Sequence, residues 1–107
     1  MKISLISTSH RESSQSNRVM KILSNRLEIK HKYIKTFNFD FYEESPPLWS
    51  SKKKDKSGFW GRKWSIISNQ FSSSDGFIYI VPEYGGMAAP NAKNFFLMCG
   101  EGELAHK

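Results

Sequence analysis

A parallel α/β sheet covered by helices is the fold this sequence predicts, and three features of the chain predict it. Phe77-Ile78-Tyr79-Ile80-Val81 is a continuous apolar run between Asp75-Gly76 and Pro82, and it reads as a strand buried on both faces. Strands of that kind belong in parallel sheets with helices on both sides. A second strand signal, Ile3, Leu5 and Ile6, starts almost at the N-terminus and runs directly into a helical pattern. Third, strand signals alternate with helical patterns of about 10–15 residues, the sign of βαβ units with right-handed crossovers.

The elements follow in order. The first strand is expected over 2–7. Val19, Leu23 and Leu27 then share one stripe, broadened by Met20 and Ile22, which gives a helix over 16–30 with Ser16 as its N-cap. Tyr33-Ile34-Lys35-Thr36-Phe37-Asn38-Phe39 is β-rich, with Phe37, Phe39 and Phe41 alternating, and gives a strand over 32–39. Pro46-Pro47 ends any regular element, so 40–58 is expected to be irregular. Trp60, Trp64, Ile67 and Phe71 fall at i, i+4, i+7 and i+11, the buried stripe of a helix over 59–72. A strand over 76–81 and a helix over 90–99, opened by Pro90, complete the reading. No internal repeat is visible.

Length and composition bound the function. The 107 residues make one domain, and 38% hydrophobic content with 14% aromatics is globular. The single cysteine, Cys99, excludes an internal disulfide and fits a reducing compartment. The N-terminal apolar stretch is too short for a signal peptide, and no run approaches the ~20 apolar residues of a membrane span. A cytoplasmic protein with no membrane partner is expected. The net charge of +6 is local: within residues 50–64, Lys52, Lys53, Lys54, Lys56, Arg62 and Lys63 face only Asp55. Trp49, Phe59, Trp60 and Trp64 interleave with these charges, as in single-strand nucleic-acid sites. A buried helix stripe behind a solvated basic loop explains the same residues better, so nucleic acid is not the expected partner.

Two loops carry the chemistry. In Ser7-Thr8-Ser9-His10-Arg11-Glu12-Ser13-Ser14-Gln15-Ser16-Asn17, six of eleven residues bear a hydroxyl, and the segment joins a strand to a helix N-terminus. Free backbone N–H groups and the positive end of the helix dipole make such a loop an anion site, and Arg11 adds a fixed charge suited to phosphate. The plainer reading is a capped loop with scattered serines. The other loop, Pro82-Glu83-Tyr84-Gly85-Gly86, follows the apolar strand at its carboxyl end, where open parallel sheets bind ligands. Its glycines let backbone N–H groups approach a flat ligand.

Together these motifs carry a family resemblance. Ser9-x-Arg11-x-x-Ser14-Gln15-Ser16 after the first strand, with Ser74-Asp75-Gly76 leading through the apolar strand to Pro82-Glu83-Tyr84-Gly85-Gly86 and then Pro90-x-Ala92-Lys93-Asn94, resembles the NADPH-dependent FMN reductase family of flavodoxin-like proteins. The resemblance implies that Ser9, Arg11, Ser14, Gln15 and Ser16 contact the FMN phosphate. It implies that Pro82, Glu83, Tyr84, Gly85 and Gly86 lie against the ribityl chain and isoalloxazine ring. The family commonly has Asn where this chain has Gly85, a change that loosens the turn and keeps its backbone donors. The segment from Lys52 to Lys63 matches no family motif and reads as a variable loop.

The implied fold is α/β, a flavodoxin-like open parallel sheet truncated to strands 2-1-3 with flanking helices. Residues 1–107 then form the N-terminal part of an FMN-binding domain, with strands 4 and 5 of the family's 2-1-3-4-5 order absent. The implied function is an FMN-binding, NAD(P)H-dependent oxidoreductase of the flavin, quinone or azo type, with FMN as cofactor and NADPH as reductant. Such a protein is expected to be a homo-oligomer when complete. Lacking one wall of the flavin pocket, the 107-residue chain is expected to be only weakly soluble, to bind FMN loosely or not at all, and to self-associate through the bare edge of its third strand. The rival is a non-catalytic truncated fragment or interaction module. Cys99, beside Phe95, Phe96 and Met98, reads as a core thiol, and His10, His31 and His106 have no metal-ligand spacing. Glu83 stands equally as a capping or ion-pair residue and as a ligand group. No nucleophile–base pair is visible, as expected when a cofactor carries the reaction.

Overall fold

The computed structural model describes residues 1–49 and 58–105. The charges expected at Lys52, Lys53, Lys54, Asp55 and Lys56, and His106, lie outside the described residues.

β1 (Lys2–Ser7) is the middle strand of a three-stranded parallel sheet in the order 2-1-3. It pairs with β2 (Lys35–Asp40) from Lys2↔Lys35 to Ser7↔Asp40, and with β3 (Gly76–Ile80) from Ile3↔Gly76 to Ser7↔Ile80. All three strands therefore end at one level, with Ser7, Asp40 and Ile80 side by side. The register is fixed at the opposite end by Asp75: its N–H donates to the Lys2 carbonyl at 2.7 Å, and its Oδ2 accepts from the Lys2 N–H at 2.8 Å. This is the α/β, flavodoxin-like sheet order that the resemblance implies.

Strand alternation sends Ile6 and Leu5 to opposite faces. On one face Ile6 and Phe39 pack with Trp64, Ile67 and Phe71 of α3 (Arg62–Ser72) and with Phe95 and Met98 of α4 (Pro90–Met98). Phe71 is the hub, fully buried, with its ring edge-on to Phe39 at 5.5 Å and to Phe95 at 5.3 Å. On the other face Leu5 is fully buried, and α1 (Gln15–Lys30) buries Met20. Ser24 of α1 shares a 2.6 Å hydrogen bond with Thr36 of β2, and Glu28 accepts from both the N–H and the hydroxyl of Thr36.

Several expectations are corrected. The N-cap of α1 is Ser14, not Ser16: Ser14 Oγ accepts the Asn17 N–H at 3.0 Å, and Ser16 lies inside the first turn. The apolar stripe of α1 is rotated from the expected one. Val19 and Ile22 are 42% and 48% exposed, and the buried face is Ser16, Asn17, Met20 and Ser24, flanked by half-buried Leu23 and Leu27. β2 begins at Lys35 because a turn closed by the Ile34 N–H on the His31 carbonyl occupies the residues before it. The expected irregular stretch contains a single helical turn, α2 (Phe41–Glu44), capped by Asp40. The helix expected from residue 59 starts as a 3-10 turn, Gly58–Trp60, before α3, although its stripe of Trp60, Trp64, Ile67 and Phe71 is buried as expected. With those tryptophans in the core, neither is a stacking platform for bases.

β3 is half-buried along its whole length, whereas its apolar run predicted burial on both faces. Among the described residues it is an edge strand, paired only with β1. Past it the chain forms a short hairpin, β4 (Glu83–Tyr84) and β5 (Met87–Ala88), then α4 with Pro90 in its first turn, and finally α5 (Glu101–Leu104). Cys99 is the C-cap of α4, half-buried against the core.

Candidate functional site

The site forms where β1 and β3 end together. Thr8, just past β1, donates both its N–H and its hydroxyl to the Ile80 carbonyl, each at 3.1 Å. That double bond pins the start of the hydroxyl-rich loop to the start of the Pro82–Gly86 segment. The loop then folds on itself. Ser9 is buried and its Oγ accepts the Arg11 N–H at 3.2 Å. Ser13 takes a left-handed backbone with φ 48°, which turns the chain so that Ser14 can cap α1. The Arg18 N–H is the first to reach a helix carbonyl, that of Ser14, so the N–H groups of Gln15 and Ser16 lie before the first intrahelical donor and stay available to a ligand.

These residues line a cavity of about 170 Å³. Ser9, Arg11, Ser14, Gln15 and Ser16, the expected phosphate contacts, all border it, and so do Pro82 and Tyr84 from the second loop. Glu83, Gly85 and Gly86 do not border it. Glu12 and Ser13, which sequence reasoning passed over, do. Glu12 and Arg11 are both exposed, so water screens both charges, and the dipole of α1 with its free N–H groups favours an anion between them.

Gly85 and Gly86 make the two-residue turn of the β4–β5 hairpin, with φ 58° and 79°. That is the primed turn which matches strand twist and selects glycine or asparagine. A Cβ at either glycine would meet nothing within 4 Å, so backbone conformation, and not crowding, dictates these residues. Glu83 has a structural role: its Oε1 accepts the Gly86 N–H at 2.6 Å and so occupies one of the turn's donors. Tyr84 packs its ring against His10 at a centroid distance of 5.4 Å. His10 had no sequence signal, because its partner is a tertiary one.

Asp40 ends β2 at the same level, almost fully buried, and its Oδ1 accepts the Tyr42 N–H at 3.1 Å. Burial pushes its carboxyl above the ordinary aspartate range, while the Tyr42 N–H and the Lys21 charge pull the other way. Near this end Ser7 Oγ and Asn17 Oδ1 are buried, and among the described residues neither has a hydrogen-bond partner. Among the described residues no group of His, Cys, Asp and Glu is arranged to hold a metal, and no helix is long and apolar enough to cross a membrane.

The fit to FMN is tested by size and donor set. At about 170 Å³ the cavity is smaller than the roughly 300–1,000 Å³ pockets that enclose a whole drug-sized ligand, and it suits a phosphate group better than a three-ring system. Its lining supplies a guanidinium, serine hydroxyls and helix N–H groups, the donors that a phosphate dianion takes. The donor set of this cavity therefore suits the phosphate end of FMN.

No curated protein matches the chain. The family model for NADPH-dependent FMN reductases matches residues 1–107, the whole chain, and the chain therefore belongs to that family.

Proposed function

We propose that this chain binds FMN, with the phosphate in the Arg11 cavity and the ring along the β4–β5 hairpin, as part of an NAD(P)H-dependent reductase. The observation that carries the reading is the cavity itself. One guanidinium, clustered serines and a helix N-terminus converge at the carboxyl end of a parallel sheet, where such folds take their ligands.

Arg11 holds the phosphate by charge-assisted hydrogen bonds, and Ser9, Ser14 and Ser16 add neutral ones. Thr8 keeps this loop at a fixed distance from Pro82 and Tyr84, so the ligand's two ends are positioned by one rigid sheet edge. The Gly85-Gly86 turn presents backbone without side chains to a flat ring. When bound, FMN supplies the chemistry, accepting hydride from the nicotinamide and passing reducing equivalents to an acceptor such as a quinone or azo compound.

The test is competition. Flavin fluorescence is followed as FMN is added to the chain, and the titration is repeated in inorganic phosphate. The reading expects quenching on binding and weaker apparent affinity as phosphate rises. Quenching that is indifferent to phosphate would place the flavin elsewhere.

A further inference from the structure

The cavity lies where β1 and β3 end; the other end of the sheet, where Lys2 pairs with Lys35, carries a cluster of cations. Between residues 26 and 35 the chain has four cations, Arg26, Lys30, Lys32 and Lys35, against one carboxylate, Glu28. Glu28 is turned toward β2. It accepts from the hydroxyl and the N–H of Thr36, and those bonds, helped by the Lys35 charge, hold its carboxyl below the ordinary glutamate range. All four cations are exposed, and among the described residues none of them forms an ion pair.

Large apolar side chains stand out among these charges. Ile29, in the last turn of α1, is 60% exposed, Tyr33 is 64% exposed and Met1 61%. They are held in place. Ile34 is buried, and its N–H closes a turn on the His31 carbonyl at 2.9 Å, which leaves Tyr33 on the outside of that turn. The Met1 amino group donates to the Tyr33 carbonyl at 2.9 Å, and the Met1 carbonyl accepts the Lys35 N–H at 2.8 Å. The turn is thus tied to β1 and presents Ile29, Tyr33 and Met1 from a fixed backbone.

A partner that satisfies both kinds of group has an anionic surface over an apolar interior. A second copy of this chain brings the same cations to the contact, and the net charge of +6 opposes it. Nucleic acid would satisfy the lysines and leave Ile29 and Met1 in water. One turn and one helix end are also small beside the roughly 800 Å² that each partner gives to a standard protein interface, whereas lipid binding accumulates residue by residue. We propose that this end of the molecule docks on anionic lipid headgroups, with Ile29, Tyr33 and Met1 entering the interfacial layer and Lys30 and Lys32 on the headgroup phosphates. Tyr33, apolar in its ring and polar at its tip, suits that depth. The contact is peripheral, since among the described residues no helix is long and apolar enough to cross a membrane. The length of β1, about 20 Å at ~3.3 Å per residue, separates it from the cavity, so the docked protein keeps that cavity accessible and the proposal stands apart from the flavin reading.

The experiment mixes the 107-residue chain with vesicles of phosphatidylcholine, with or without phosphatidylglycerol, and floats them through a density gradient, so that bound protein rises and aggregated protein sinks. Binding to the mixed vesicles should exceed binding to phosphatidylcholine alone by about tenfold or more, and should fall as salt is raised. Lys30→Gln and Lys32→Gln should each weaken it by about fivefold, the worth of one cation at an anionic surface. Ile29→Ser and Tyr33→Ser should weaken it by about fivefold or more at unchanged charge, whereas Tyr33→Trp should bind at least as well as the original chain. All these side chains are exposed, so each variant should keep the original urea midpoint. Equal binding to the two kinds of vesicle would overturn the proposal, as would serine variants that bind like the original. Tighter binding through the same residues to polyglutamate or to single-stranded DNA would also overturn it, making an acidic protein or a nucleic acid the occupant.

Discussion

Thr8 and Ile80 are joined twice, by the Thr8 N–H and by the Thr8 hydroxyl, both on the Ile80 carbonyl at 3.1 Å. The pair lies at the point where two adjacent parallel strands release their loops, and it decides how far apart those loops begin. Thr8→Val keeps the shape and the backbone bond and removes only the hydroxyl. The expected loss is about 1 kcal/mol of stability, measured by urea denaturation, with FMN affinity falling less than for any change at Arg11. An unchanged midpoint would mean that the second bond contributes nothing to the junction.

Among the described residues Arg11 is the one guanidinium bordering the cavity proposed to take the phosphate. Arg11→Ala should weaken FMN binding by about 1–3 kcal/mol, the range of a hydrogen bond to a charged group. The fold should be retained, because the side chain is exposed. Calorimetry decides, and equal affinity for the two proteins would remove Arg11 from the site.

Gly85 and Gly86 are set by backbone conformation alone, with open space where a Cβ would stand. Alanine at either position should cost roughly 1–2 kcal/mol, the penalty of a left-handed backbone for a residue with a Cβ. Gly85→Asn should cost clearly less, since asparagine is favoured in this turn type. Thermal melts of the three variants test the ranking, and alanine melting no lower than asparagine would contradict it.

Asp40 gives a pH signature. Burial, its largest influence, raises its carboxyl above the ordinary aspartate value, so the native state holds the proton more tightly than the unfolded chain does. Stability from this group is therefore greatest below the unfolded value and is lost as pH rises through the folded one. Asp40→Asn, which keeps a side-chain oxygen for the Tyr42 N–H, has no such titration. The wild-type protein should gain stability relative to Asp40→Asn as pH falls from about 6 to about 3. A difference that stays constant, or moves the other way, would show that burial does not dominate at this carboxyl.

Much of the fold is legible because it rests on local periodicity. The Trp60, Trp64, Ile67 and Phe71 stripe is buried where its spacing places it, and β1 keeps its expected bounds. The failures have tertiary causes. Three serines compete to cap α1, and the left-handed turn at Ser13, invisible in composition, gives the role to Ser14. Val19 and Ile22 look like core residues, yet the hydrogen bonds of Ser24 and Glu28 to Thr36 set the rotation of α1 and turn both toward solvent. At the site, the serines and Arg11 were readable because strand, loop and helix N-terminus are contiguous. His10 against Tyr84, and Asn17 with its unpartnered oxygen, depend on segments brought together only by folding.

The central claim is that the cavity beneath Arg11 holds the phosphate of FMN. Titrating the chain with FMN and with riboflavin, under the same ionic strength and with fluorescence quenching as the signal, tests it most directly. The two ligands share the ring and the ribityl chain and differ in the phosphate alone. The account predicts that FMN binds at least about tenfold more tightly than riboflavin, whatever the absolute affinity, and that Arg11→Ala erases most of the difference. Equal affinity for FMN and riboflavin would contradict it.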